Sequence, residues 1–424
     1  MSSTKVPGRD VSQRAMWPDG RSPARPFREV IVSTYPRIRV SGDARQRGRA
    51  YGEQARERIQ LSRDGYAEIF ASTAGWTWEE AVASAARYAK PIRDLAPDAM
   101  EEIEGIAEGS GLPVGDVLTI NARTEILFAA TAREAAAQRA PLASECTALA
   151  LLSGRTRAGR PLLAQNWDWM VQAFATVVVL EVEQPGDRPN FVTVVEAGLL
   201  AKTSMNSAGL GVATNALVSS ADRGEPGIPY HVMLRLMANC ETLTDAAAVA
   251  QAAPRASSAN YLIAHADDVA VNVEAAPGDF RALSWQIPQD GCLVHTNHFL
   301  SLPPGTDEVS LYAMPDSLVR LQRAAGELGA RAAWDVKEIA ELLADHSGWP
   351  TSICGHPDPR PQPVDLGATV VSVVMDLAGR QMWLASGNPC THPFEQLSFG
   401  GLLDKPSALL AARDAALSQT VGDG

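Results

Sequence analysis

The stretch Leu142-Ala-Ser-Glu-Cys-Thr-Ala-Leu-Ala-Leu-Leu152 decides how the chain is read. It places a cysteine, Cys146, at the head of an apolar run just after an alanine-rich helical pattern breaks at Pro141. Upstream, from about Ala44 to Ala140, apolar residues recur at helical spacing, and APDAMEEIEGIAEGSGL starts after a proline and ends at glycines. Downstream the period changes. CTALALLSG, RPLLAQNWDW, TVVVLEVEQ and NFVTVVEAG are short apolar runs divided by turn residues, as strands are.

Working outward, EVIVSTYPRIRVSG supplies a first strand and SMNSAGLGVATNALV continues the strands. IPYHVMLRLMANCETLTDAAAVAQAA is helical, NYLIAHADDVAVNVEAA and ATVVSVVMDLAGRQMWLASG are hairpins, and GCLVHTNHF is a further strand. Helical patterns return between Pro315 and Ala344, and the proline-rich loop GHPDPRPQP borders a candidate site. Helices followed by many antiparallel strands imply stacked antiparallel sheets covered by helices, an α+β chain. The expected organisation is an N-terminal arm over 1–35, disordered and without the apolar core of a secretory signal, a mainly helical segment over 36–145, and a strand-rich segment over 146–424 that shares one domain with it.

The chain has 424 residues, 46% of them hydrophobic, which is enough for a substantial core. The net charge of −12 argues against nucleic acid as a partner, because phosphate binding needs a basic face. No run of 18 uninterrupted apolar residues predicts a membrane span. Five widely spaced cysteines without a C-x-x-C predict neither a disulfide framework nor a structural zinc site, and a reducing, cytoplasmic setting is the default expectation. His295 and His298 have H-x-x-H spacing but no third ligand cluster, so no metal and no cofactor are expected.

A thiol is a nucleophile only as thiolate and needs a base. Papain-like enzymes start a helix with their cysteine, whereas Cys146 starts a strand. The alternative is an N-terminal nucleophile: cutting the bond before Cys146 frees an α-amino group of pKa near ~8 to act as the base.

Several motifs then carry a resemblance. EEIEGIAEGSGLPVGDVLTINARTEI, CTALALL followed by LLAQNWDW, NSAGLGVATNALV, HTNHF, SIC and GATVVSVVMD occur in the same order as in the acyl-coenzyme A:6-aminopenicillanic acid acyltransferase family. The chain resembles that family, a branch of the autoproteolytic N-terminal-nucleophile hydrolases, from about Arg39 to the C-terminal hairpin. The resemblance implies a four-layer αββα sandwich of two antiparallel sheets, cleaved between Glu145 and Cys146 into an α and a β chain. It implies Cys146 as nucleophile, Asp168 beside the new amino group, and Asn297 as an oxyanion donor.

Thr147, Ala276, Asp365 and Leu366 are the candidate substrate-binding positions. The penicillin enzyme of that family has glycine at Glu145, threonine at Ala148, serine at Ala276 and serine-arginine at Asp365-Leu366. The pocket periphery is thus changed around a retained core. The expected activity is a self-processing cysteine amidase or acyltransferase acting on a small N-acyl compound. An acyl-CoA-dependent N-acyltransferase, with acyl-CoA or an amine acceptor as partner, and an unprocessed, non-catalytic binding protein on the same fold are the alternatives.

Overall fold

The structure is a computed structural model, and it describes residues 34–136, 146–360 and 367–407 with 409 and 411–413. The N-terminal arm, up to residue 33, and Glu145, Asp365 and Leu366 lie outside the described residues.

Strand β1 (Arg37–Ser41) is followed by seven helices: α1 (Ala44–Gln54), α2 (Arg56–Thr73), α3 (Trp78–Ala85), α4 (Ala89–Leu95), α5 (Pro97–Ser110), α6 (Val114–Asn121) and α7 (Arg123–Ala136). Six strands come next: β2 (Cys146–Leu151), β3 (Leu162–Met170), β4 (Val177–Glu183), β5 (Phe191–Glu196), β6 (Thr203–Asn206) and β7 (Leu210–Ala216). Helices α8 (Tyr230–Met237) and α9 (Leu243–Ala252) lead to β8 (Ala259–His265), β9 (Val269–Ala275), β10 (Leu283–Gln286) and β11 (Cys292–His295). Helices α10 (Ser310–Ala313), α11 (Ser317–Ala330) and α12 (Val336–Leu343) precede β12 (Gly367–Asp376), β13 (Gln381–Ala385) and β14 (Glu395–Leu397).

The strands form an eight-stranded sheet in the order β1-β4-β5-β6-β7-β8-β9-β10 and a six-stranded sheet in the order β11-β2-β3-β12-β13-β14. The two sheets pack through β2 and β3 against β7 and β8. Helices α11 and α12 cover the outer face of the six-stranded sheet, and α9 covers the far face of β8 and β9, which completes the αββα layering. Alternation along β2 makes this work. Cys146, Ala148 and Ala150 face the larger core between the sheets, whereas Leu149 and Leu151 join Leu328, Trp334, Ile339 and Leu343 beneath α11 and α12.

Two details depart from the pattern read along the chain. At the edge of the larger sheet β1 pairs with β4 in parallel, Arg37 opposite Val179. No hairpin ties the two strands together: seven helices and two strands separate them, so turn geometry does not impose an antiparallel direction. The long helix expected over 228–253 is two helices. The Asn206 side-chain amide donates to the carbonyls of Ala238 (3.2 Å) and Cys240 (2.7 Å), which takes those groups out of a helical ladder. Thr242 then caps α9 by accepting from Asp245 N–H at 3.1 Å.

The helical segment is locked internally by backbone contact as much as by side chains. Gly48 and Gly52 of α1 face Gly105 and Gly109 of α5, and a Cβ on any of the four would fall far inside contact distance of a main-chain carbonyl oxygen on the other helix. Main chain cannot swing aside as a side chain can, so overpacking is costly here. Gly105→Ala or Gly109→Ala should therefore lose about 2–3 kcal/mol or more. Gly326→Ala on α11, where an added Cβ meets nothing within 4 Å, should gain about 0.5–1 kcal/mol. Urea midpoints of the three variants check this ordering.

Candidate active site

Cys146 begins β2 opposite Trp167 of β3, so the two side chains share the face that looks into the inter-sheet core. The Cys146 side chain is buried, with the residue only 1% exposed. Its main-chain groups are held from three sides. The N–H donates to Asn297 Oδ1 at 2.6 Å. The carbonyl accepts from Arg320 Nη1 at 2.7 Å and from Asn215 Nδ2 at 3.1 Å.

Both amide orientations follow from their partners. Asn297 Oδ1 faces two donors, Cys146 N–H and Arg320 Nη2 (3.1 Å), while its Nδ2 donates to Ala216 O at 3.0 Å. Asn215 Nδ2 faces the carbonyls of Cys146 and His295, and its oxygen accepts from Asn260 Nδ2 at 3.0 Å. Asn297 thus meets Cys146 through its oxygen, on the nitrogen side, with its amide nitrogen turned to Ala216.

The first turn of α11 sets this geometry. Ser317 Oγ accepts the Asn297 main-chain N–H at 2.7 Å, and Asp316 and Arg320, one turn apart, pair at 2.7 Å. Arg320 is fully buried, so Asp316 and the carbonyl it meets replace the lost water around the guanidinium.

Charge on the thiol's side comes from Lys202, whose Nζ sits 4.5 Å over the Trp167 ring. Burial lowers the Lys202 ammonium to about 8, against the favourable field of Cys146. The thiol itself is raised, chiefly by burial; Lys202, Arg320 and the Asp168 main-chain N–H oppose that rise, and the Asp168 carboxylate adds to it. A buried thiol in this setting is protonated until a base is supplied beside it.

Asp168 lies on the other face of β3 from the two tryptophans, opposite Thr369 of β12. Thr369 Oγ1 donates to Asp168 Oδ1 at 2.5 Å, and among the described residues the buried Oδ2 has no hydrogen-bond partner. Thr369 is itself oriented by the Gly355 N–H, which donates to its Oγ1 at 2.8 Å. Gly355 is the first residue of the GHPDPRPQP stretch, the loop expected from the sequence to border a candidate site. Trp167 and Trp169 are buried, as expected of core residues, Trp169 Nε1 donating to Tyr66 OH at 3.1 Å.

The remaining candidates disperse. Thr147 points to the α11 side, its Oγ1 receiving Arg320 Nη1 at 3.3 Å. Ala276 is buried past the end of β9, where its carbonyl accepts from Arg255 Nε at 3.2 Å. His295 bonds Glu274 Oε1 at 2.8 Å and His298 bonds Ser317 Oγ at 2.7 Å, so the H-x-x-H pair is tied into hydrogen bonds with other side chains. Sequence reasoning misses Arg320, Asn215 and Lys202. A lysine between apolar neighbours in GLLAKTSM and an Asp–Arg pair at i, i+4 are the signals that point to two of them.

No described helix is long and apolar enough to cross a membrane. The family model described as acyl-coenzyme A:6-aminopenicillanic acid acyl-transferase matches residues 155–391. The acyl-coenzyme A:6-aminopenicillanic-acid-acyltransferase 40 kDa form of Emericella nidulans is 30% identical over 325 residues, which is 74% of this chain and 82% of that one. Among solved structures, a mutant of the conjugated bile acid hydrolase from Clostridium perfringens is 14% identical with a TM-score of 0.40 over 60% of this chain and 97% of its own. The Agrobacterium tumefaciens penicillin V acylase is 16% identical with a TM-score of 0.39 over 60% and 86%. The chain belongs to the acyl-coenzyme A:6-aminopenicillanic acid acyl-transferase family.

Proposed function

We propose that the chain is a self-processing cysteine amidase or acyltransferase that works through a thioester on Cys146. The observation that carries the reading is the dedicated side-chain acceptor on the Cys146 nitrogen, Asn297 Oδ1 at 2.6 Å. This nitrogen is the atom that becomes an amino group on cleavage. In processing, Sγ adds to the Glu145 carbonyl carbon, the C–N bond breaks, and the nitrogen takes the thiol's proton. Water then opens the thioester, leaving a Glu145 carboxylate and a free thiol.

In turnover the α-amino group removes the thiol's proton as Sγ attacks the substrate's acyl carbon, and it returns that proton to the departing amine. Asn297 holds the amine. Asn297 Nδ2 donates one hydrogen to the Ala216 carbonyl and keeps a second for an oxyanion, whereas both hydrogens of Asn215 Nδ2 are held by the carbonyls of Cys146 and His295. Water or a second amine takes the acyl group. Transfer is favoured as the second step by the name of the 30% identical relative, an acyltransferase.

Cleavage before Cys146 leaves chains of 145 and 279 residues, the second being 424 − 145. Wild type should show both on a denaturing gel and by intact mass, co-migrating under native conditions, while Cys146→Ala stays full length. Wild type that remains a single band after long incubation defeats the reading. Asn297→Ala should fold and lose about 10²–10³ in kcat with little change in KM. Near-wild-type kcat would remove Asn297 from the machinery.

Asp168 makes a pH signature. Burial raises its carboxyl from 3.8 to about 6, against Arg320 and the Thr369 hydrogen bond. A folded value above the unfolded one favours the protonated form, so this contribution to stability is complete below about 4 and is lost as pH rises through about 6. On a Cys146→Ala background, Asp168→Asn should therefore add on the order of 3 kcal/mol at pH 7 and nothing near pH 4. Denaturant midpoints at the two pH values check it.

The chain has Asp365-Leu366 where the penicillin enzyme has serine-arginine, so that arginine's positive charge is missing here. Among amides sharing one acyl group, those with neutral or cationic amine portions should be cleaved faster than those with acidic ones. A reversed order, from a panel of initial rates, would overturn this specificity.

A further inference from the structure

Four residues that the sequence scatters meet at one point, and Cys146 is not among them. His346 follows α12, Cys354 and His356 lie in the loop after it, and Cys390 follows β13. Their ligating atoms all lie within 4.8 Å of one another. The arrangement is centred on one nitrogen: His356 Nε2 is 3.0 Å from His346 Nε2, 3.5 Å from Cys354 Sγ and 3.4 Å from Cys390 Sγ. An imidazole nitrogen has a single in-plane hydrogen or lone pair, so it can satisfy one of these neighbours as a hydrogen bond, never three.

An ion at the centre of the group satisfies all four. Tetrahedral zinc with Zn–N of about 2.0–2.1 Å and Zn–S of about 2.3 Å puts adjacent ligand atoms about 3.3–3.8 Å apart, close to the separations found here. Two thiols and two imidazoles are a soft, tetrahedral donor set, which selects zinc over calcium or magnesium. The four side chains fill every tetrahedral position, as in structural rather than catalytic zinc sites.

We propose that His346, Cys354, His356 and Cys390 bind one structural zinc ion. Binding releases the two thiol protons, and the two thiolates cancel the ion's charge, so the occupied site is neutral. Groups that would support the ligands are already in place. Asn388 Nδ2 approaches Cys354 Sγ at 3.8 Å and donates to the Gly355 carbonyl at 2.6 Å. Gly355, between two of the ligands, also donates to Thr369 Oγ1, the group that holds Asp168. The ion therefore clamps the loop from which Asp168 is positioned.

The test uses the whole chain, freed of metal by chelator under reducing conditions and titrated with zinc or with cobalt(II). Wild type should take up one zinc per chain and rise in melting temperature. With cobalt it should show thiolate-to-metal charge transfer and the intense visible bands of a tetrahedral site. Cys390→Ser and His346→Ala, both at exposed positions, should fold, lose the charge-transfer intensity or the stoichiometry, and no longer gain stability from zinc. Asn388→Ala should keep the spectrum and bind about 10–100-fold more weakly. The proposal is overturned if reduced wild type takes up no zinc, if cobalt shows no thiolate band, or if the Cys390→Ser spectrum equals wild type. It is also overturned if a Cys354–Cys390 disulfide forms in the presence of zinc. None of these readouts depends on whether the chain cuts itself.

Discussion

The buried main chain of one residue, Cys146, organises this molecule. The main-chain N–H and C=O of Cys146 lie at the head of β2 in the six-stranded sheet, and both are claimed by side chains from other elements: the N–H by Asn297, the C=O by Arg320 and Asn215. Burying such groups without partners would cost several kcal/mol, so the native position of Cys146 requires β7, the turn after β11 and the start of α11 together. The Asp316–Arg320 pair illustrates the demand. On a surface an i, i+4 pair contributes little. Here it supplies a countercharge to a guanidinium with no exposure.

The charges around the thiol oppose one another. Lys202 and Arg320 favour thiolate, while burial and the Asp168 carboxylate resist it, and burial prevails. Asp168 and Lys202 are both drawn toward neutrality by the same dry surroundings, to about 6 and about 8.

Short apolar runs suffice to read the strands β2 and β12, whereas β3 buries Gln165, Asn166 and Asp168 among its apolar residues. Cys146, Asp168 and Asn297 are legible as a group because ordered motifs carry them. Cys146 and Asn297 meet directly, and Asp168 lies across β3, with its own main-chain N–H against the thiol. Asn215 is not legible, because nothing in ATNAL distinguishes a side chain that satisfies a distant carbonyl from one that faces water, and the Asp–Arg spacing in DSLVRL marks an ion pair without saying that it is buried against Cys146. The parallel pairing of β1 is hidden for a similar reason: its direction depends on the path of the helices after it. The Cys–His cluster escapes because only C-x-H is local, and its partners come from the end of α12 and from beyond β13. Glycines four apart in RGRAYGEQ and EGIAEGSGL carry a signal of close helix approach that periodicity of apolar residues does not register.

The edge strand β1 has a consequence for the history of the chain. It lies beside β4, and from the same N-terminal segment Arg123 and Tyr66 meet Glu196 of β5 at 2.9 Å and 2.7–2.8 Å. These contacts join residues before Cys146 to residues after it. While the chain is continuous they form by loop closure, a first-order event with a modest entropy cost. If the chain is cut as proposed, the same contacts belong to two molecules, and reassembly becomes second order, at concentrations far below the effective concentration the connecting segment had provided. A cut chain would then persist by its barrier to opening rather than by its capacity to refold, so a single unfolding event would be final.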